Sequence, residues 1–372
     1  MSRLSSAVVP PSPAGSRVVV ALSGGVDSSV AAALLRDAGW EVIGVTLRLH
    51  DCRDVPAGRS CCAEDSVARA RAVAGRLDIP HYVLDVAREF ERQVLRPAWS
   101  TYAGGRTPSP CLLCNERIKF GLLLAWARRL GADRVASGHY ARVERSSDGE
   151  PSLHRGDDPD KDQSYFLAGL DRLRLAALFF PLGRLRKTTV RELARARGLP
   201  TADARDSQNA CLTQPGRSFA DALRERFAAS PRPGVIVDEA GSVLARHDGL
   251  HHFTIGQHRR LGLGSPRRLW VKCLRRTDAT VVVTDRADAL LSNHLRITGT
   301  HWLAAPPPDG APLECAVQLR YRAPPIPATV TPGTGGTVAI TLHRPARAVA
   351  PGQAAVLYDG DRVLGRGWID AD

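Results

Sequence analysis

The chain has a single methionine, 5% aromatic residues and only four lysines (Lys119, Lys161, Lys187 and Lys272) among its 372 residues. No apolar run approaches the ~18–20 residues that a membrane-spanning helix needs, so no membrane association of that kind is expected. No basic cluster leading into an apolar stretch opens the sequence. Met1–Ser16, short and rich in Pro and Ser, is therefore expected to be a frayed leader rather than a secretory signal. Eight cysteines are too few for a disulfide scaffold. A cytoplasmic, reducing setting is expected, in which grouped cysteines are read first as catalytic or metal-binding. The Walker Gly-Lys-Ser/Thr pattern and the GxGxxG fingerprint are both missing, which excludes the two commonest phosphate-binding loops.

What is present is charge. Lys and Arg total 51 against 38 Asp and Glu, a formal net charge of +13. The excess is not spread evenly. Residues 1–100 carry 12 basic and 11 acidic groups, and residues 101–200 carry 18 and 11. Within 251–276, Arg259, Arg260, Arg267, Arg268, Lys272, Arg275 and Arg276 stand without an acid. Biased base composition would spread basic residues along the whole chain, whereas two concentrated regions point to a polyanionic partner.

With 44% hydrophobic and 24% charged residues the chain is globular in composition, and its length predicts two or three domains. The apolar, β-branched run 17–22 reads as a buried parallel strand, followed by a Gly/Ser turn and a helix over 27–38. Strands at 41–47, 81–84 and 134–136 alternate with helices at 64–77 and 115–130, the pattern of βαβ units and a doubly wound parallel sheet. After a helix at 219–227 come short strands at 235–238, 270–274, 280–284, 316–321, 337–342 and 354–358, with Gly/Pro turns at the spacing of small barrels. The segments 306–308 and 332–336 read as loops. The expected division is an α/β domain at 17–215, a small β-rich central domain at 216–288 and a C-terminal β-barrel at 289–372, after the leader at 1–16.

Ser23-Gly24-Gly25-Val26-Asp27-Ser28-Ser29 lies between the first strand and the first helix. Adjacent glycines let backbone N–H groups turn inward around an anion, and the following helix aims its positive end at the same place. Ser23, Ser28 and Ser29 offer hydroxyl donors, and Asp27 is suited to capping the helix or holding Mg²⁺. Farther on, Pro108-Ser109-Pro110-Cys111-Leu112-Leu113-Cys114-Asn115 sets two thiols three residues apart at a helix start, and Cys211 follows in Asp206-Ser-Gln-Asn-Ala-Cys211. Thiolates there could carry a persulfide sulfur and close a disulfide that releases it. Cys111 and Cys114 could equally be half of a zinc site with Cys52, Cys61 and Cys62, or join Cys211 as three ligands of a [4Fe–4S] cluster. Cys273 and Cys315 sit in apolar strand contexts and read as core.

Taken together, the chain resembles the tRNA-specific 2-thiouridylases. The resemblance is carried by Ala21-Leu-Ser-Gly-Gly-Val-Asp-Ser28, Gly105-Arg-Thr-Pro-Ser-Pro-Cys-Leu-Leu-Cys-Asn-Glu-Arg-Ile-Lys-Phe120, Ser137-Gly-His-Tyr140, Asp160-Lys-Asp-Gln-Ser-Tyr-Phe-Leu167 and Phe180-Pro-Leu-Gly183. It continues through Asp206-Ser-Gln-Asn-Ala-Cys211, Thr254-Ile-Gly-Gln257, Leu261-Gly-Leu263, Arg320-Tyr-Arg322 and Pro351-Gly-Gln353.

The resemblance implies an ATP pyrophosphatase (PP-loop, adenine nucleotide α-hydrolase-like) domain followed by the two β-rich domains. It implies ATP with Mg²⁺ as cofactors, and the tRNAs for Lys, Glu and Gln as substrates. A cysteine desulfurase or sulfur-relay protein would be the sulfur donor. Carried onto this chain, ATP would be held by Ala21, Leu22, Ser23, Gly24, Gly25, Val26, Asp27, Ser28, Leu47 and Gly138. Cys211 matches the persulfide carrier and Cys114 the thiol that completes release, with a Cys114–Cys211 disulfide as by-product. His139, Lys161, Asp162, Gln163, Arg320, Tyr321 and Gln353 match tRNA contacts. Many family members have Asp where Cys111 stands, which keeps open a [4Fe–4S] variant on Cys111, Cys114 and Cys211. Cys52, Cys61 and Cys62 receive no role. Another PP-loop sulfurtransferase or ligase is the alternative activity.

Overall fold

A computed structural model describes Val9, Ser12 and residues 15–50, 64–204, 218–230, 232–265 and 267–370. Most of 1–16, Cys52, Cys61, Cys62 and the whole 205–217 segment with Cys211 lie outside the described residues. The chain divides into two compact units, one of residues 1–94, 111–213 and 361–363, the other of 95–110, 214–360 and 364–372.

The first unit is built on a parallel sheet of β1 (Arg17–Ala21), β2 (Glu41–Arg48), β3 (His81–Asp85), β4 (Arg134–Ser137) and the two-residue β7 (Leu178–Phe179), in the order β3-β2-β1-β4-β7. Val18, Val19 and Val20 of β1 are fully buried, because a central parallel strand is covered on both faces. One face packs into a cluster with α1 (Val26–Asp37), α2 (Glu64–Leu77) and α5 (Lys187–Ala196), through Leu34, Val73 and Val190 among others. A long helix, α4 (110–129), runs its last segment, Leu123–Arg129, against β1 and β4. Val9, within the segment read as a leader, is buried in the α1 cluster, and the Ser12 amide donates to Ala38 O.

The four strands expected in the parallel sheet are all present, with ends shifted by a residue or two. Several features were not expected, among them β7 and α5. An antiparallel hairpin, β5 (Ala141–Arg145) and β6 (Pro151–Arg155), follows β4; its arginines and glutamates hide the strand pattern. And α4 begins at Pro110, not Asn115, because proline fits the first helical position, where its missing N–H costs nothing. Between Cys114 and Leu122 the helix widens into π geometry, a local form frequent at functional sites.

The second unit contains a four-stranded sheet in the order β10-β11-β8-β9, made of β8 (Gly234–Val237), β9 (Val243–His247), β10 (Trp270–Arg275) and β11 (Thr280–Thr284). Ile236, Leu250, Phe253, Val271, Val281 and Val283 form its core. Two helices, α3 (Arg96–Ala103) and α6 (Phe219–Arg226), pack against each other and against a tight turn at Leu250–His252.

The same unit holds a barrel of β12 (Leu291–Trp302), β13 (Leu313–Gln318), β14 (Ile326–Gly333), β15 (Thr337–Arg347), β16 (Ala354–Asp359) and β17 (Arg362–Ile369). The order β12-β15-β14-β13-β16-β17 closes through a β12–β17 pairing, which leaves no exposed edge among these six strands. Burial alternates along β15, where Val338, Ile340 and Leu342 point inward. Cys315 packs against this core, and burial pushes its thiol up to about 12, as expected of a structural cysteine. The strand expected at 316–321 is shorter at its C-terminal end. It stops at Gln318, so Arg320 and Tyr321 lie in the turn before β14. Conversely β14 runs into the expected 332–336 loop as far as Gly333.

Candidate active site

In the strand order β3-β2-β1-β4-β7 the direction of progression reverses between β1 and β4. Loops leaving the C-terminal ends of those two strands diverge and open a crevice, the place where open α/β sheets bind ligands. The loop after β1 is the Gly/Ser segment, and the loop after β4 is Gly138-His139.

The first loop is held from both sides. The Leu22 amide donates to Val45 O at 2.8 Å, and Leu22 O accepts from Thr46 Oγ1 at 2.7 Å. The Ser23 amide then donates to Ser28 Oγ at 3.1 Å, curling the chain over the first turn of α1. Gly24 has φ +72°, and a Cβ there would lie 2.2 Å from Ser66 O, so only glycine fits. Its own carbonyl accepts from Arg69 Nε at 3.1 Å.

The N-cap of α1 is Gly25, with no side-chain cap. This corrects the expectation that Asp27 caps the helix. It also changes the role of two hydroxyls: Ser28 Oγ and Ser29 Oγ donate to Gly25 O at 3.1 and 2.8 Å, and both side chains are buried. These serines shape the loop, and the backbone amides at the start of α1 are left without a side-chain cap. A Cβ on Gly138 would lie 2.6 Å from Asp27 C and Ser28 N, so the end of β4 is pressed against the same helix turn.

Asp27 instead holds a charged cluster. Lys187 Nζ, from the first residue of α5, lies 2.7 Å from both carboxylate oxygens, and Tyr140 Oη donates to Oδ1 at 2.8 Å. Lys187 is itself placed by Asp158, whose buried carboxylate accepts from the Lys187 amide at 2.8 Å. Lys187, Tyr140 and Asp158 were not among the expected site residues. The one sequence signal for Lys187 was scarcity, since a chain that uses Arg almost everywhere keeps Lys here.

The 160–164 segment is fastened rather than free. Asp162 pairs with Arg155 at 2.8 Å and accepts from the amides of Gly156 and Ser164 and from Ser164 Oγ; its side chain is only 8% exposed. Its carboxylate therefore organises the loop. Gln163 exchanges two bonds with Tyr140, donating its amide to Tyr140 O and accepting the Tyr140 amide on Oε1. Lys161 is half-buried, its amide bonded to Asp158 O. His139 is buried between Phe120 and Phe180, with Nδ1 2.7 Å from Ser137 Oγ. Burial, then the positive charge of Lys119, holds its pKa well below the usual histidine value. The imidazole is neutral and part of the packing under the crevice. Leu47 lies at the end of β2, half-buried.

Cys114 opens the widened segment of α4 and is buried, whereas Cys111, one turn earlier, is half-exposed. The helix is braced by Asn115 Nδ2, which donates to Phe166 O at 3.2 Å, and by Arg174 Nη1, which reaches Glu116 O at 3.0 Å. In the second unit, Arg320 is exposed and Tyr321 half-buried in the turn after β13, with the Arg322 guanidinium 5.4 Å from the Tyr321 ring centre. Gln353 precedes β16, and its carbonyl accepts from the Ile369 amide at 2.8 Å.

A glycine loop at the switch point, a helix end without a side-chain cap and two appended β-rich domains define an adenine nucleotide α-hydrolase-like (PP-loop) enzyme. Family models agree with this class. A tRNA methyl transferase HUP domain matches residues 16–215, a tRNA methyl transferase PRC-barrel domain 221–285 and an aminomethyltransferase beta-barrel domain 292–369. The tRNA-specific 2-thiouridylase MnmA of Geobacter metallireducens is 45% identical over 360 residues, covering 95% of this chain and 97% of that one. Its namesake from Rhodospirillum centenum is 45% identical over 367 residues, covering 96% and 92%. The chain belongs to the MnmA family of tRNA-specific 2-thiouridylases, as its motifs implied.

Two outcomes follow from this geometry. Lys187→Met leaves Asp27 without its ion pair and removes a cation from the phosphate site. The rate of AMP formation should fall at least about tenfold, the scale of one lost charged hydrogen bond, with tRNA binding unchanged in a filter assay. An unchanged rate would restrict Lys187 to a structural role. The second outcome concerns His139. The unfolded chain takes up this proton near pH 6.5 and the folded chain does not, so stability is lost as pH falls below about 6.5, by up to about 1.4 kcal/mol per pH unit. Urea midpoints at pH 7.5 and 5.5 should differ less in His139→Gln than in the parent chain.

Proposed function

We propose that the chain converts the wobble uridine of the tRNAs for Lys, Glu and Gln to 2-thiouridine at the expense of ATP. The observation that carries this reading is the loop Ser23–Ser28 wrapped over the uncapped start of α1 beneath Gly138, with Lys187 brought in from another helix in place of a Walker lysine. Such a cradle suits the phosphates of ATP. The uracil O2 attacks the α-phosphorus, and pyrophosphate leaves. This step is needed because oxide is a poor leaving group and AMP a good one. Asp27 is a hard carboxylate suited to Mg²⁺, which, when bound, supplies neutralisation of phosphate charge.

Sulfur delivery uses thiols. A persulfide on Cys211 attacks C2 through its terminal sulfur, and AMP departs. The Cys114 thiolate then attacks Sγ of Cys211, which breaks the S–S bond, leaves the sulfur on C2 and forms a Cys114–Cys211 disulfide. The burial of Cys114 in the widened turn of α4 supports its use in a water-poor site. The target base must leave the anticodon stack to reach such a site. Arg320 and Tyr321 suit a phosphate contact and a base-stacking contact, with Lys161, Gln163 and Gln353 as further polar contacts. His139 and Asp162 act by positioning. The sulfur arrives from a cysteine desulfurase or relay protein, and the setting is cytoplasmic.

The pair Cys111 and Cys114, two sulfur donors one helical turn apart, favours a second reading. With Cys211 they are a soft donor set that fits a [4Fe–4S] cluster, which when bound would supply an open iron for sulfur.

Cys114→Ser and Cys211→Ser should each abolish 2-thiouridine, read by mass spectrometry of digested tRNA, while tRNA-dependent AMP formation persists. Thiolation by either variant sinks the assignment. Anaerobic purification separates the two readings: a brown chain favours the cluster, and a colourless active one the persulfide.

The basic segment 251–276 supports tRNA binding, though part of it is locally paired. Arg267 contacts Asp285, Lys272 contacts Glu239 and Arg275 contacts Asp278, whereas Arg259, Arg260, Arg268 and Arg276 are exposed. Replacing Arg259 and Arg260 by Ala should weaken tRNA binding and reduce the slope of log K against log salt by about 0.9 per lost phosphate contact, with ATP affinity unchanged. A salt-independent affinity would remove the charge argument.

A further inference from the structure

The capping box of α6 does two things at once. Ser218 Oγ accepts from the Asp221 amide at 3.1 Å, and Asp221 Oδ2 accepts from Ser218 Oγ at 2.6 Å. This fixes the carboxylate and leaves Oδ1 aimed at the Leu250–His252 turn, where it lies 3.2 Å from His252 Nδ1. His251 sits beside them, its ring centre 4.0 Å from that of His252 and 5.5 Å from Trp99 of α3. Each of the three residues offers one ligand atom, and these atoms lie within 4.8 Å of one another.

Two details set this group apart from an ordinary surface ion pair. His251 is only 7% exposed, and its Nε2 is buried without a hydrogen-bond partner. A buried polar nitrogen left in this way is costly unless something else occupies it. The second detail is spacing. Ligands about 2.0–2.1 Å from a tetrahedral zinc are about 3.3–3.4 Å apart, close to the present Asp221–His252 separation.

We propose that Asp221, His251 and His252 form a zinc site that clasps α6 to the Leu250–His252 turn, with a water in the fourth position. Two imidazoles and one carboxylate are a donor set typical of zinc, and Ser218 supplies the outer hydrogen bond that orients the carboxylate. Zinc takes the place of the hydrogen between His252 Nδ1 and Asp221, and the imidazole keeps its proton on Nε2. Burial, followed by the charges of His252 and Arg224, lowers the pKa of His251 to about 4, so the ring is neutral, the form that ligates. Arg224 opposes the cation and tunes its affinity downward. The site uses none of the thiols assigned to sulfur transfer, so it stands or falls apart from that chemistry.

The test uses the full chain, untagged and stripped of metal, titrated with zinc against a chromophoric chelator and with cobalt(II) as the spectroscopic probe. The expected result is one equivalent of zinc that raises the thermal midpoint and whose affinity falls at least tenfold in Asp221→Asn and in His252→Asn. The cobalt bound at that equivalent should show no thiolate charge-transfer band. Arg224→Gln should bind zinc more tightly. The metal-free His252→Asn chain should melt as the metal-free parent does, which shows that the loss is of metal and not of fold. Equal zinc affinity in the parent and both ligand variants would overturn the proposal. So would cobalt bound only with a thiolate band, which would move the metal to the cysteines.

Discussion

The approach of β4 to the start of α1 is the constraint on which the active-site unit depends. Gly138 lies so close to Asp27 and Ser28 that a single added carbon would meet their backbone at 2.6 Å. That contact brings the ends of the two central strands together at the point where the sheet reverses its order. It aims the loop after β1, the end of α1 and the start of the 138–140 segment at one place.

Around this contact the polar groups are assigned in series. Asp158 sets Lys187, Lys187 and Tyr140 set Asp27, and Gln163 ties Tyr140 to a loop that Asp162 holds closed. Lysine at position 187 fits such a chain of contacts better than arginine would. A compact ammonium can sit 2.7 Å from both oxygens of one carboxylate and still turn toward a second anion. His139 lies beneath the same crevice as an uncharged aromatic spacer between two phenylalanines.

The legible parts of the fold were those with strong local signals. Buried Val-rich strands, the glycine loop and the Gly/Pro-punctuated β region each carry their pattern within a few residues. The β5–β6 hairpin was not legible, because residues such as Arg142, Glu144 and Arg145 carry polar side chains on a strand that lacks an apolar run. The start of α4 was placed five residues late, at Asn115, because Pro108 and Pro110 obscure the helical pattern there, whereas the helix uses Pro110 as its first residue. The end of β13 at Gln318 could not be read either, since Arg320 and Tyr321 have ordinary strand propensities and only the closing of the barrel decides where the chain turns away.

The sequence by itself determined the class of enzyme, the glycine loop, the cysteine motifs and the concentration of positive charge, because each is encoded by neighbours in the chain. Tertiary structure decided which side chain meets which. It turned Asp27 from a helix cap into the partner of Lys187, 160 residues away, made Asp162 a fastener and His139 a packed neutral ring. It also set Asp221 beside His251 and His252. Each of these depends on distances across elements separated in sequence, and on how far burial strips water from a charge, neither of which any local pattern of residues specifies.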